Sequence, residues 1–558
     1  MIVVGLSCYY HDAAACVVVD GKVVAAAEEE RFTRVKHDAS FPREALNFCL
    51  QKAGVLFPQV DHVVFYEKPY LKFARTLFDH LAEFPFSLPH FLRTMPSWLG
   101  ERLVLPDHLK DELVLEAPVS FVPHHLSHAA FSYFLSGFRD AALLTLDGVG
   151  EWSTATRGAA RAGKIGLEEE VRYPHSLGLF YSAIAEHVGF SAVGGEGKLM
   201  GLAAYGKPTR IAELERLLRV GEDGGFALDP AYFAFRRGER MGSGRLAKLI
   251  GPARAPDAPL TDAHRDLAAS AQALLERAIL ANTRSLRAKH GLDALCLGGG
   301  VALNCLANGR VAREAGFSRV FVPPGCGDSG GAIGAALYLS SLLGRAPGPH
   351  GGHAYWGPGY LEREMEREIR ASRFAYRRLD DGALVSEAAS LLSHGKILGW
   401  FQGDMEFGPR ALGNRSILAS PVAEGTKVRV NELKRREQFR PFAPVVPRER
   451  VGEFFEWEAE SPFMLFAASV RSEWRARLPA ITHVDGTARV QTVDAAVNPR
   501  LHALLRAFEP AAHAPVLLNT SFNLDDEPIV CSPADALRTF ARSGLDALVM
   551  GNFVVQKA

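Results

Sequence analysis

Cysteine is scarce in this 558-residue chain, with only Cys8, Cys16, Cys49, Cys296, Cys305, Cys326 and Cys531. No two form a CxxC pair, and their density is too low for a disulfide-stapled scaffold. A charge surplus is lacking as well: 63 Lys+Arg stand against 63 Asp+Glu, and the pI is near 7.3. That balance excludes a generally basic nucleic-acid coat and an acidic tail, while leaving local patches open. No apolar run approaches the ~18 residues of a membrane span. The opening MIVVGLSCYYHD has no basic region and a polar break, so no secretory signal is expected. These absences predict a soluble, cytoplasmic protein without a membrane partner. What is present is ordinary globular composition, 48% hydrophobic and 23% charged, in a chain long enough for more than one domain.

The first thirty residues read as a β-meander. Ile2–Ser7 is an apolar run, Tyr9–Asp12 breaks it, Ala13–Val19 is a second run, and Asp20-Gly21 turns into Lys22–Ala27. The layout recurs at Leu143–Leu146, with Asp147–Gly150 as the loop and Trp152–Arg157 and Ile165–Val171 as further strands. Two meanders, each with an acidic residue in the loop after its first strand, suggest an internal duplication. That is the pattern of the actin-like, ribonuclease-H-like ATPase fold; two unrelated hairpins are the alternative.

Two strand–loop–helix units follow. Ala294–Leu297 runs into Gly298-Gly299-Gly300 and on to Asn304; Arg319–Val322 runs through Asp328 and Gly330 into the helix Ala332–Tyr338. Glycines between a strand and a helix let backbone N–H groups approach phosphate or ribose, although tight turns use them too. Ile211–Val220 and Ala263–His290 read as helices, and Gly221–Ala255 as a loop-rich segment suited to a substrate lid. The Gly/Pro-dense stretch Leu343–Tyr360 reads as a linker. A boundary near residue 350 therefore separates residues 1–350 from an α/β unit at 351–558, with helices Leu361–Arg370 and Asp381–Ser393 and strand Ile397–Phe401.

Four short patterns carry chemistry. After Pro123, His124 and His128 lie four apart on one helical face, a spacing at which two imidazoles can share a metal ion. The glutamate of HExxH is absent, so metal-hydroxide proteolysis is disfavoured; Asp328 can complete a His-His-Asp set, and His125 points elsewhere. The pair His11-Asp12 suits acid/base work or a phosphate contact, or is an exposed turn. Lys198, flanked by glycines, binds phosphate or sits in a loop. The run Glu29–Asp38 reads as a solvated mixed-charge segment. Arginine concentrates in the second unit as Arg410, Arg415, Arg436, Arg440 and Arg489, joined by Lys434, with Asn519 and Ser521 nearby in sequence. Guanidinium groups interleaved with Pro, Phe and apolar residues fit a small phosphorylated ligand better than a nucleic-acid strip.

Taken together, HDAAACVV, EERFTRVKHDASFP, VPHHLSHA, LTLDGVGE, GEGKLMGLAAYG, LGGGVALNCLANG, GCGDSGGAIGAA, FGPRALGNRSILASP, REQFRPFAP, THVDGTARVQTV and LNTSFN closely resemble the O-carbamoyltransferases of the NodU/CmcH family. The resemblance spans residues 2 to about 533. It implies an α/β chain in which residues 1–350 form a duplicated actin-like metal- and nucleotide-binding domain and residues 351–558 a YrdC-like domain. It also implies ATP and carbamoyl phosphate as co-substrates, Mg2+ with the ATP, and carbamoyladenylate made in the second domain. The carbamoyl group then passes in the first domain to a hydroxyl of a natural product or sugar, as in antibiotic biosynthesis. By the same resemblance His124, His128, Asp328 and Asp147 hold a divalent metal, iron(II) first and zinc or manganese as alternatives. His11, Asp12 and Lys36 stand near the transferring group. Arg410, Arg415, Lys434, Arg440, Arg489, Asn519 and Ser521 bind carbamoyl phosphate and ATP. Lys198, Gly298, Gly299, Gly300, Asn304 and Gly330 serve the nucleotide in the first domain.

Three rivals are a sugar-kinase-like phosphotransferase, a tRNA threonylcarbamoyladenosine-type enzyme and a chaperone-like ATP switch. The HxxxH pair and the second domain argue against the first, the neutral charge against the second, and the metal face against the third. The partners expected are a small hydroxyl acceptor and no nucleic acid, with a homodimer as an admissible assembly. Acceptor specificity is expected in Tyr70–Leu115 and Gly221–Ala255, between the motifs.

Overall fold

The computed structural model describes residues 1–104, 117–192, 194–238, 240–348, 352–423 and 425–557. Residues 105–115, part of the expected specificity segment, lie outside these. The chain divides into two compact units: Met1–Val24 with Leu50–Pro349, and Ala25–Cys49 with His350–Ala558.

In the first unit, β1 (Ile2–Ser7) pairs antiparallel with β2 (Ala14–Val19), Val4 opposite Val17. Asp20 and Gly21 both take positive φ, 47° and 77°, as a two-residue type I′ turn requires, and β3 (Lys22–Glu28) follows. Then β4 (His62–Phe65) adds parallel to β1, and β5 (Val119–Phe121) parallel to β4. The order is β3-β2-β1-β4-β5.

The plan repeats. β6 (Asp140–Leu146) pairs antiparallel with β7 (Ser153–Arg161), and Ala162-Gly163, again at positive φ, turns the chain into β8 (Lys164–Arg172). After the small hairpin β9 (Leu218–Val220) and β10 (Phe226–Leu228), β11 (Ala294–Gly298) and β12 (Arg319–Phe321) complete the order β8-β7-β6-β11-β12 with parallel pairings. Both sheets thus run third, second, first, fourth, fifth, and the first unit is a duplicated actin-like core.

Each half sends its fifth strand into a helix: β5 leads to His124–Ser136 and β12 to Asp328–Leu342. The helices pack closely because glycines face the contact. A Cβ on Gly334 would collide with the carbonyl of Ser127, and one on Gly330 would meet the Phe131 ring. Gly330, expected as a nucleotide contact, serves helix packing here. One correction concerns Ile211–Val220. Only Ile211–Leu214 is helical; Leu218–Val220 pairs with Phe226–Leu228, the hairpin overriding helical propensity. The segment Gly221–Ala255 is not only loop, since it includes β10 and the helix Gly244–Ile250. All seven cysteines are buried and outside disulfides. Among the described residues no helix is long and apolar enough to cross a membrane.

The second unit is built on a nine-stranded mixed sheet: β13 (Ala375–Arg378), β14 (Leu398–Phe401), β15 (Arg415–Ala419), β16 (Ala443–Pro447), β17 (Phe466–Ser469), β18 (Thr487–Val493), β19 (Leu517–Ser521), β20 (Ala547–Met550) and β21 (Phe553–Gln556). Its order is β13-β21-β20-β14-β15-β19-β16-β18-β17. Helices Asp381–Ser393 and Pro499–Ala512 cover one face, burying Trp400, Leu418, Val445 and Leu517 with Leu384, Leu501 and Phe508.

Within the expected domain 1–350, the segment Ala25–Cys49 groups by its contacts with the second unit. The reason is chemical. Arg31, 3% exposed, bonds Glu28 and Glu30 and donates to the carbonyl of Gly408, whose N–H donates to Glu28. Arg34 donates to the carbonyls of Pro528 and Ile529 and faces Asp535, while Phe32 packs on Met405, Ile529 and Cys531. The run read as a solvated segment is buried as an ionic staple at Glu29–Arg31 and exposed at Thr33 and Val35–His37. Glu29 is also buried, accepting from the amides of Glu44 and Ala45.

Candidate functional site

In the first unit the ligating side chains sit on three elements: the helix after β5, the loop after β6 and the helix after β12. Pro123 sets the entry to its helix, and Glu151 accepts from the backbone N–H of His124, anchoring the first turn. The i, i+4 spacing then stacks His124 over His128, each 1% exposed. Their Nε2 atoms lie 3.0 Å apart. Oδ2 of Asp147, in the loop after β6, is 2.8 Å from one and 3.1 Å from the other. Oδ1 of Asp328, first residue of its helix, stands 3.6 Å from both.

The four donors lie within 4.8 Å of one another. Ligand atoms at ~2.0–2.2 Å from one ion are separated by roughly 3 Å, and a His2Asp2 set suits a divalent first-row cation. The donors therefore fit a metal ion. Behind them, Glu67 Oε2 is 3.5 Å from His124 Nδ1 and accepts from Lys72, and Tyr66 Oη donates to Asp328 at 3.4 Å. Glu67, Glu151 and Tyr66 were missed by sequence reasoning; only their closeness to the strand ends and to the motifs marked them.

Without a cation the imidazoles are the counter-charges of the carboxylates. Burial disfavours protonated His124, yet Asp328, Asp147 and Glu67 hold its pKa well above the usual value. Burial alone would raise the Asp147 carboxyl, but His124 and His128 keep it well below the carboxylate range. Burial also opposes charge on Glu67, and Lys72 and His124 nonetheless bring it to about 2. His125 is different: burial and the two neighbouring imidazoles push it down to about 3, and its ring bonds Thr145 Oγ1 and the Ser153 carbonyl.

His11 and Asp12 lie in the loop after β1, where Tyr9 and Asp12 both hold positive φ, 70° and 53°, the strained backbone found at functional loops. Asp12 Oδ2 is 2.9 Å from His11 Nδ1, leaving Nε2 turned to Asp328 at 3.7 Å. Burial opposes protonation of His11, but Asp328 and Asp12 raise it to about 9. Lys36 is grouped elsewhere. It lies in the second unit and donates to the Asp525 carbonyl.

The glycines expected to meet a nucleotide have local work. Gly299, at φ 88°, packs on the carbonyl of Leu146, and Gly298 on that of His128. Asp147 Oδ1 accepts from Gly148 N at 2.8 Å and Gly300 N at 3.2 Å. The glycine turn thus orients a candidate ligand. Asn304 caps the helix Cys305–Glu314 and bonds Gln272, and Lys198 is half-buried in the first turn of Glu196–Ala203.

In the second unit the cations separate into two kinds. Arg415 is fully buried, stacked 3.7 Å over Phe401, with both terminal nitrogens donating to carbonyls of Pro358, Gln402, Gly403 and Asn414. It ties Pro358 to the backbone at Gln402, Gly403 and Asn414, a role that arginine content alone could not reveal. Asn519 is likewise turned inward, donating to Gln491 Oε1 and the Ala411 carbonyl. Glu406, also missed, accepts from the amides of Leu412, Asn414 and Arg415.

Lys434, buried like Arg415, joins Lys36, Arg436, Arg440 and Arg489 in one cationic group. Its Nζ donates to the carbonyls of Ser521 and Asn523 and to Asn523 Oδ1. Burial, Arg436, Arg440 and Lys36 push its pKa far below the lysine range. Arg436, stacked 4.4 Å over Phe442, is lowered by burial, Arg440 and Arg489. Asp525 beside Arg440 offsets only part of this charge, and such a group favours an incoming anion. Arg410, half-buried between Gly408 and Gly413, and Ser521, bonded to Asn523, complete the residues expected here.

Residues 2–337 match the family model "Carbamoyltransferase N-terminus" and residues 389–557 "Carbamoyltransferase C-terminus". The chain is 45% identical to the uncharacterized protein sll1178 of Synechocystis sp. over 100% of its own length and 96% of that protein. It is 38% identical to nodulation protein NolNO of Sinorhizobium fredii, over 98% of this chain and 79% of that protein. It is also 38% identical to a 3'-hydroxymethylcephem-O-carbamoyltransferase of Amycolatopsis lactamdurans, over 47% and 49%. With both family models matched in order across its two units, the chain belongs to the carbamoyltransferases of the NodU/CmcH family and is a transferase enzyme.

Proposed function

We propose that this chain is an ATP-dependent O-carbamoyltransferase that forms carbamoyladenylate from ATP and carbamoyl phosphate and passes the carbamoyl group to a hydroxyl of a small natural product or sugar. The observation that carries the reading is the convergence of His124, His128, Asp147 and Asp328 beside His11. In the second unit Lys434, Arg436, Arg440, Arg489 and Lys36 would offset the phosphate charges of both co-substrates. Water cleaves the phosphorus–oxygen bond of carbamoyl phosphate to release phosphate and carbamate; a carbamate oxygen then bonds the α-phosphorus of ATP, and the bond to the leaving pyrophosphate breaks. In the first unit, with Asp328 engaged by a cation and no longer holding His11 protonated, His11 Nε2 would take the proton of the acceptor hydroxyl, the ring held at Nδ1 by Asp12. The hydroxyl oxygen then bonds the carbamoyl carbon, and the bond to the AMP oxygen breaks. A divalent ion on the four donors, iron(II) first and zinc or manganese next, would polarise a carbonyl or phosphate oxygen. Mg2+ would accompany the ATP. The partner is the acceptor alone, without nucleic acid or membrane.

The test incubates the full chain with ATP, carbamoyl phosphate, a divalent metal and a panel of hydroxyl compounds. AMP, pyrophosphate and phosphate are expected, each equimolar with an O-carbamate product. ADP in place of AMP would overturn the reading in favour of a kinase-like transfer.

A further inference from the structure

The first unit holds a cavity of about 550 Å3 that none of the carbamoyltransferase motifs contributes to. Four cations line it, Arg236, Arg237, Arg245 and Lys248, together with the rings of Phe233 and Phe235 and a single carboxylate, Glu83. Arg236 is fixed by Asp79 at 3.3 Å and Glu83 at 3.4 Å, and Arg237 by Glu83 at 2.9 Å. Two guanidiniums are therefore preorganised. Arg245 and Lys248, one turn apart on the helix Gly244–Ile250, stand exposed at the same wall. Phe235 packs on Phe233 at 5.5 Å and on Tyr173 at 5.8 Å, which gives the cationic wall an aromatic floor.

One helix joins this cavity to the metal-ligand cluster. Lys72, Arg75 and Asp79 follow one another at spacings of three and four on Pro69–Ala82, and so share a face. At the near end Lys72 bonds Glu67, which faces His124, and lies 4.4 Å over the Tyr10 ring. Midway, Arg75 is buried over the Tyr173 ring with no hydrogen-bond partner for Nε. At the far end Asp79 holds Arg236. Seven residues of helix span about 10 Å, so the cavity is within reach of a molecule whose other end lies at the cluster.

We propose that this cavity binds an anionic group, a carboxylate, sulfate or phosphate, carried on an apolar ring system. On the proposed function, on which this step rests, that group belongs to the carbamoyl acceptor, its hydroxyl some 10–15 Å away at His11. Four cations against two carboxylates, Glu83 on the wall and Asp79 behind Arg236, repel a polycationic acceptor such as an aminoglycoside. Acceptors that pair a ring with an acid group are the class that fits.

Calorimetric titration of the full chain with naphthalene-1-sulfonate and with uncharged 1-naphthalenemethanol tests this. The sulfonate is expected to bind at least about tenfold more tightly, as one or two charge-assisted hydrogen bonds provide. Arg245→Glu with Lys248→Glu should erase that preference, and salt should weaken it. Both side chains are exposed, so the double variant is expected to fold, which circular dichroism checks. Photolabelling with 4-azidobenzenesulfonate should mark residues 230–248. Equal affinities, an unchanged double variant or labels elsewhere would overturn the site. AMP release by the unmodified chain is measured in parallel. Its absence sinks the carbamoylation reading and leaves the anion site to its own titration.

Discussion

Oδ2 of Asp147 lies 2.8 Å from Nε2 of His124, and the two residues come from opposite halves of a duplicated core. The loop after the first strand of the second half meets the helix after the fifth strand of the first half. The reverse contact also exists, since His11 in the first half's loop faces Asp328 at the head of the second half's helix. One structural rule, applied twice, thus assembles four donors and a candidate base where the halves meet. The duplication explains why a site spread over 318 positions, from His11 to Asp328 (328 minus 11, counted inclusively), closes to a few ångströms.

Replacing His124 and His128 together with alanine removes both nitrogen donors. We expect bound divalent metal, measured by elemental analysis, to fall from about one per chain towards zero. Carbamate product should drop at least a thousandfold, roughly 4 kcal/mol of transition-state stabilisation. Pyrophosphate release, assigned to the second unit, should persist. Retention of metal by the double variant would place the metal elsewhere.

Arg31→Ala tests the staple that ties Ala25–Cys49 to the second unit. It leaves Glu28 and Glu30 buried without their cation, a loss of about 3–5 kcal/mol for a broken buried pair. A urea titration should show the midpoint falling accordingly. Arg31→Lys should not restore it, because the bond to the Gly408 carbonyl and the two carboxylates need the guanidinium fork.

How much of this was legible beforehand differs by residue. The Asp20-Gly21 turn, the repeated meander and the His124–His128 pair are local patterns, and sequence displays local patterns directly. Arg415 and Lys434 look alike as cations in a string. That one stacks on Phe401 and the other bonds Ser521 amid further cations depends on neighbours that only the folded sheet brings near. Arg31 shows the limit most clearly. Its run is as charged as any solvated segment, and its partner Gly408 stands 377 positions away. Gly298–Gly300 were legible as a special turn but not in purpose, because orienting Asp147 and cradling a phosphate use the same amides.

Lys434 predicts a pH dependence. Its folded-state pKa lies well below the unfolded lysine value of about 10.4. The unfolded chain therefore binds more protons in the interval between the two, and stability of the anion-free protein should rise as pH climbs through that interval. An anion bound beside Nζ favours the protonated form, so binding takes up a proton. Stabilisation by phosphate or pyrophosphate, read as a shift in Tm, should be greatest near neutral pH and decline as pH increases. A shift independent of pH would detach Lys434 from the anion site.

Gly334→Ala addresses the helix pair. The added Cβ collides with the Ser127 carbonyl, which is backbone and cannot swing aside. Separation of the helices moves His124 and His128 away from Asp328. A loss of about 1–3 kcal/mol is expected from overpacking, with weaker metal binding although no ligand has changed. Gly327→Ala, where a Cβ meets nothing, is the control for a general effect of adding a methyl group.

Asp147→Asn separates charge from position. Oδ1 of Asp147 accepts from the amides of Gly148 and Gly300, and asparagine offers the same acceptor, so the loop keeps its turn. Oδ2 faces both imidazole Nε2 atoms, and an amide NH2 there donates where a metal ligand must accept. The variant should fold, with far-ultraviolet circular dichroism unchanged. Metal affinity, measured by competition with a chromophoric chelator, should fall tenfold or more, since an anionic ligand is replaced by a neutral one turned the wrong way. Asp147→Glu keeps the charge but lengthens the reach by one methylene, in a loop already fixed at both amides. It should recover only part of the affinity. Full affinity in Asp147→Asn would remove Asp147 from the ligand set and leave it the role of holding His124 and His128 in place.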